Sequence, residues 1–227
     1  MAIQIGSGIT IGGGIGVGSG SAAPAGLVAS LDAASYSGTG ATWYDLSGLG
    51  NDFTLLGTPS YVSNGPQSYF SFFSSVAQGG AILSNQAYTK VAVVRTVTGS
   101  LGNIISGDSS NPHAFWCSFG PFLQSGVNGN WTTVINPAPI PTNQWFFVAV
   151  SFNITTGWHL FLNNIGVAAS NSTDTFAANP ATVEIGGFDG NSNQLQGDLA
   201  IAQIYNVTLP DYEILALYAG WQSRFGL

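Results

Sequence analysis

Positive charge is almost missing from this chain. Its 227 residues carry three bases, Lys90, Arg95 and Arg224, against ten acids. Binding nucleic acid through its phosphates needs a basic stripe, which three separated bases cannot build. The same shortage disfavours anionic membrane surfaces. Charge of either sign is scarce, at 6% of residues against about 25% in an ordinary soluble domain. A surface so poor in ions is wetted by Ser, Thr, Asn, Gln and backbone amides, which suits either a protein covered by neighbours or a plain neutral exterior. Cysteine occurs once, at Cys117, which excludes an intrachain disulfide and a thiol pair for a metal. No apolar run approaches the length of a membrane span. Met1 is followed by glycine-punctuated sequence rather than a basic and then apolar leader, so neither a span nor a secretory signal is expected.

What the chain does have is apolar mass and turn chemistry: 45% hydrophobic residues, 12% aromatics and 31 glycines. Its length suits one large β domain with a tail. The tail is a repeat of six residues in which the pairs Ile3 and Ile5, Ile9 and Ile11, and Ile15 and Val17 each flank one small or polar residue. Each pair shares one face of a short extended segment, giving an apolar stripe that cannot bury itself alone. An ordered arm over residues 1–26 is therefore expected to lie on the domain, on a partner or on sister copies, the alternative being a flexible Gly/Ser linker. Residues 27–227 form the domain.

Strand chemistry recurs at Leu27 to Leu31, Ala81 to Leu83, Lys90 to Val97, Ala114 to Phe119, Phe146 to Phe152, His159 to Leu162, Thr182 to Ile185 and Leu199 to Tyr205. Turn-prone Asn, Asp and Gly clusters separate these segments. One helix is predicted, from Pro210 to Ala219. Asp211 and Glu213 complement its positive end, Ile214, Leu217 and Tyr218 share a face, and Gly220 would cap it. The economical closure is all-β: a two-sheet antiparallel jelly-roll sandwich with a short C-terminal helix and an extended N-terminal arm.

Three segments resemble laminin G-like domains of the concanavalin A-like class. Trp145-Phe-Phe-Val-Ala-Val-Ser-Phe-Asn153 with Gly157-Trp-His-Leu-Phe-Leu-Asn-Asn164 looks like the family's central hairpin. Val183-Glu-Ile-Gly-Gly187, Gly197-Asp-Leu-Ala-Ile-Ala-Gln-Ile-Tyr-Asn206 and the helix from Asp211 look like its closing strands and terminal helix. Leu31-Asp32-Ala33, Trp43-Tyr44-Asp45-Leu46-Ser47-Gly48 and Asn51 resemble the opening strand and its loop. The resemblance implies the sandwich, with Trp145 and Tyr205 in inward-facing rows. The Gly197-Asp198-Leu199-Ala200 variant, the Arg224-Phe225-Gly226-Leu227 ending and the Ile-Thr-Ile-Gly-Gly-Gly start look like laminin G-like proteins of tailed-bacteriophage particles. By that analogy the expectation is a virion structural protein on the particle exterior. It would be a capsid decoration protein anchored by Ile3, Ile5, Ile9, Ile11, Ile15 and Val17 to a capsid or other virion protein, and a homo-oligomer, a trimer being one form.

The alternative expectation is a carbohydrate-binding tail-fibre or adhesin module recognising a cell-surface glycan. Its candidate contacts are Trp43, Trp131 and Trp158 with Asn130 and Asp189, although each tryptophan could equally be core. Enzyme activity is not expected. Glucanases of this fold resemble one another in a Glu-x-Asp-x-x-Glu strand motif, whereas this chain has two distant glutamates, Glu184 and Glu213. His113 and His159 stand apart, and the glycine-rich start lacks the Lys-Ser/Thr of a phosphate loop. Calcium is the one metal to weigh, since Asp189, Asn191 and Asn193 offer oxygens at alternate positions. Ala200 stands where many relatives carry Asp, and a metal-free Asp/Asn turn is the alternative.

Overall fold

The computed structural model describes residues 25–96, 102–108, 113–118, 122–127, 130–135, 140, 142–169, 179–188 and 193–227. Residues 1–24 of the arm lie outside this set. The strands are β1 (Leu27–Asp32), β2 (Thr42–Trp43), β3 (Phe53–Leu56), β4 (Ser60–Val62), β5 (Tyr69–Ser71), β6 (Val76–Gly79), β7 (Ala87–Thr96) and β8 (Ile105–Ser106). They continue with β9 (Ala114–Ser118), β10 (Phe122–Val127), β11 (Asn130–Ile135), β12 (Trp145–Asn153), β13 (Gly157–Leu162), β14 (Ile165–Ala169), β15 (Val183–Ile185) and β16 (Gly197–Tyr205). One helix, α1 (Asp211–Phe225), follows.

Every pairing between these strands is antiparallel. The first sheet runs β14-β13-β12-β7-β16-β5-β4, with β1 also on β16. The second runs β2-β3-β6-β15-β8. The β11-β10-β9 ribbon extends it through the Asn103–Trp116 bridge and a 2.8 Å bond from the Ile104 N–H to the Phe115 carbonyl. The two sheets face one another as a jelly-roll sandwich.

Two hydrophobic clusters explain the long apolar runs. Tyr88, Ala92 and Val94 of β7 and Phe146, Val148, Val150 and Phe152 of β12 fill the space between the sheets. Their alternates Val91, Val93, Phe147 and Ala149 lie on the opposite face of the first sheet, beneath α1. A strand covered on both faces needs apolar residues at nearly every position, so the pattern reads as a run rather than an alternation. This corrects the expectation for Trp145 and Tyr205, both of which pack in the cluster under the helix rather than between the sheets. A bulge between Leu199 and Ile201 adds Ala200 to β16 and moves the following residues by one face.

Three further sequence expectations change. Ala81 to Leu83 is not a strand, and Val76–Gly79 takes that place in the second sheet. Pro210 is the N-cap of α1 rather than part of its first turn. Gly220 does not end the helix, which continues to Phe225 and closes at Gly226 with φ 69°. Trp221 and Phe225 pack onto the same cluster as Ile214, and that burial outweighs the helix cost of one internal glycine, about 1 kcal/mol.

The edge of β1 is sealed by its own loop. The Asp45 carboxylate accepts hydrogen bonds from the Ser30, Ser47 and Asn51 N–H groups and from the Ser47 hydroxyl. The Leu46 N–H bonds the Ser30 carbonyl, and the Asn51 side-chain amide bonds that of Val28. An edge strand whose polar groups are already engaged offers little for another chain to pair with.

Candidate functional site

Of the sequence-derived tryptophans, Trp43 and Trp158 do not reach the surface. Trp43 is fully enclosed, 4.9 Å from the Phe70 ring. Trp158 is 2% exposed, its ring tilted against that of Phe152 at 4.4 Å. Both rings are core, which removes them as sugar-stacking faces; large aromatic area is stabilised most by burial. Asn130 and Trp131 open β11, where they pair with Val127 and Gly126. Asp189 and Asn191 lie outside the described residues. Asn193 is exposed, with φ 47°, and its carbonyl accepts both the backbone and side-chain N–H groups of Asn103. Among the described residues no group of three or more His, Cys, Asp or Glu side chains is placed to hold a metal.

All three bases of the chain serve internal contacts. Arg95 binds Asp198 at 2.6 Å while lying 4.7 Å from the Tyr69 ring and 4.9 Å from that of Trp145. Burial lowers its pKa, the Asp198 and Tyr69 contacts raise it, and the contacts prevail. Arg224 binds Asp32. Lys90 is fully buried between the sheets, where its Nζ donates to the carbonyls of Ile105, at 3.1 Å, and His113. Burial holds this amine well below the usual lysine range. The eight described carboxylates are likewise engaged, counting ten in the chain less Asp174 and Asp189. Asp198 and Asp32 pair with arginines, Asp45 holds the β1 loop, and Asp52 accepts the Asp45 N–H. Asp108 caps Ala181 and Thr182, Glu184 accepts from Gln78, Asp211 meets His159, and Glu213 accepts from Tyr212.

A pocket of about 260 Å³ opens on the helix side of the first sheet. It is lined by Ser151 from β12, Thr156 and Gly157 from the β12–β13 turn, Trp158 and His159 from β13, and Thr208 to Asp211 leading into α1. The register explains its polarity. Thr89, Ser151 and His159 stand side by side on neighbouring strands, one row beyond the apolar row of Val91, Ala149 and Phe161 that the helix covers. The Thr89 hydroxyl donates to the Val207 carbonyl and accepts from the Leu209 N–H, which fixes the approach to the helix. The Thr208 hydroxyl donates to Phe152. His159 Nδ1 lies 2.7 Å from Asp211 Oδ1 and its ring 4.5 Å from that of Phe161. Sequence alone showed His159 only as a histidine standing apart from His113. It missed the pocket because Ser151 and Asp211 are 60 positions apart in the chain and meet only through the helix.

The arrangement supplies hydroxyls, an imidazole and a carboxylate beside the apolar Leu209 and Pro210, without an ammonium or guanidinium. Such a lining hydrogen-bonds uncharged polar molecules. It holds one carboxylate, where retaining glycosidases need two about 5–5.5 Å apart.

Comparison with known proteins places the fold. No curated protein matches the chain by sequence. Among solved structures, domain 4 of AbnA, a GH43 extracellular arabinanase from Geobacillus stearothermophilus, in complex with arabinotriose, superposes with a TM-score of 0.66 at 19% identity, covering 86% of this chain and 98% of that one. The botulinum neurotoxin serotype D ligand binding domain in complex with N-acetylneuraminic acid superposes with a TM-score of 0.64 at 15% identity, over 86% of this chain and 51% of that one. The receptor binding domain of botulinum neurotoxin C/D mosaic serotype gives 0.62 at 17% identity, over 86% and 51%. The chain thus spans about half the length of the toxin chains it resembles. At these identities the likeness is one of fold, and two of these neighbours are in complex with a sugar, arabinotriose and N-acetylneuraminic acid. A family model matches residues 81–215, more than half of the chain, and with the two-sheet sandwich described above it establishes that the protein belongs to the concanavalin A-like lectin/glucanases superfamily.

Proposed function

We propose that this chain is a carbohydrate-binding module without catalytic activity. The observation that carries the reading is a pocket of hydroxyls, one imidazole and one carboxylate, set on a rigid sheet of a fold shared with sugar-binding domains. Rigid elements hold polar contacts in fixed geometry, which is what selective hydroxyl recognition requires. The pocket lining holds a single carboxylate, Asp211, which supports the non-catalytic part, because a glycosidase needs an acid and a base or nucleophile facing one bond.

The virion reading, with a capsid partner and an oligomer, places its anchor at Ile3 to Val17, outside the described residues. The comparisons lend it no support, so the glycan reading is preferred.

A broad glycan array probed with the purified chain, followed by calorimetric titration of any hit, tests the proposal. Saturable binding without release of reducing sugar is the expected outcome. Hydrolysis of a bound oligosaccharide would overturn the non-catalytic part, and an empty array would overturn the whole.

A further inference from the structure

Ser151 is 3% exposed and lines the pocket. A serine hydroxyl lining a cavity is both a donor and an acceptor for whatever occupies it. Its neighbours are accounted for: Thr89 holds the segment before α1, Thr208 is bonded to Phe152, and His159 is bonded to Asp211. The adjoining wall is the start of α1, where the N-cap Pro210 supplies no side-chain hydrogen bond. The first amides of a helix lack intrahelical acceptors, so this end favours an oxygen-rich ligand.

We propose that this pocket is a subsite for a single uncharged sugar ring, with Ser151, His159 and Asp211 as its polar contacts. The proposal rests on the glycan-binding reading and narrows its ligand. Size argues for one ring, since about 260 Å³ falls below the roughly 300–1,000 Å³ that enclose larger ligands. Leu209 and Pro210 give apolar surface for the C–H face of a pyranose or furanose. Charge argues for a neutral one. None of the three bases reaches the pocket, each being committed elsewhere, while the Asp211 carboxylate forms part of its lining. A sialic acid carboxylate there would meet a like charge with no cation to pair with. His159 is already turned to Asp211.

The test is an amide-resolved NMR titration of the full chain. The probes are glucose, galactose, mannose, arabinose, N-acetylglucosamine and arabinotriose, with N-acetylneuraminic acid as the anionic comparator. At least one neutral sugar should shift the resonances of Ser151, Thr156, His159 and Asp211, and N-acetylneuraminic acid should leave them in place. Ser151→Ala should weaken that binding about fivefold, the effect of one neutral hydrogen bond. Thr156→Trp, on the exposed turn at the rim, should abolish binding while leaving the unfolding midpoint unchanged. Binding that maps to β11 around Trp131, with both variants as wild type, would overturn the subsite and leave the module reading standing. Preference for N-acetylneuraminic acid would overturn the neutral-ligand assignment. Absence of binding across this panel and the array would remove both.

Discussion

Arg224, near the end of α1, grips Asp32 at the end of β1 through two hydrogen bonds, Nη1 to Oδ2 at 2.6 Å and Nη2 to Oδ1 at 2.7 Å. The pair joins residues 192 positions apart and ties the helix to the edge strand of the sheet it covers. Arg224 Nε also donates to the Pro66 carbonyl, and the guanidinium lies 4.8 Å from the Phe225 ring. A planar fork matches a carboxylate in a way that lysine cannot.

Arg224→Ala is accordingly expected to cost about 1–3 kcal/mol, between the values for exposed and buried ion pairs, because both side chains are about one-fifth exposed. Urea unfolding checks the cost. Arg224→Lys should recover less than half of it, since the second hydrogen bond is lost.

Lys90 predicts a pH dependence. Its folded-state pKa is depressed by burial, so at intermediate pH the native amine is neutral while the unfolded one is protonated. The unfolded state then binds more protons, and native stability rises with pH. The window runs from the depressed folded value up to about 10.4, the unfolded value, with a slope of up to about 1.4 kcal/mol per pH unit. Lys90→Met should remove that slope from urea-unfolding free energies measured between pH 7 and 10. An unchanged slope would mean the native amine stays charged.

Asp45 has the opposite sense. Burial raises its pKa, hydrogen bonds from Ser47, Ser30 and Asn51 lower it, and the bonds prevail, leaving it below the ordinary value. Its contribution is present above the unfolded pKa of about 3.9 and is lost as pH falls through the folded value. Asp45→Ala should destabilise the domain by roughly 2 kcal/mol at neutral pH and flatten its acid-unfolding curve below pH 4.

Trp43 is buried with its indole N–H unpartnered. Trp43→Phe removes that orphan donor, which offsets part of the lost packing, so a cost of about 1–2 kcal/mol is expected against about 3–5 for Trp43→Ala. Glycan affinity should be unchanged in Trp43→Phe, because the ring reaches no surface; a loss measured by calorimetry would return Trp43 to the binding site.

The long strands β7, β12 and β16 and the helix were legible in the sequence because their apolar residues are dense and their ends carry turn signals. The short strands β2, β3, β4, β5, β6 and β8 were not. Two to four residues such as Ser60-Tyr61-Val62 carry no period of their own and become strands by pairing with neighbours. Gly220 was misread as a cap because a local rule cannot register the tertiary burial of Trp221 and Phe225 beyond it. The tryptophans near loops were ambiguous for a similar reason: Trp43 and Trp158 carry the same ring in or out of water, and only packing against Phe70 and Phe152 decided.

By itself the sequence determined the fold class and the lack of any free basic surface. Apolar density and turn residues act locally, and three bases cannot make a cationic patch wherever they fall. Only the tertiary structure decided where those bases go, which aromatics are core, and that Ser151, His159 and Asp211 share one pocket. Each depends on strand register and on the docking of α1, which bring together residues that no local pattern connects.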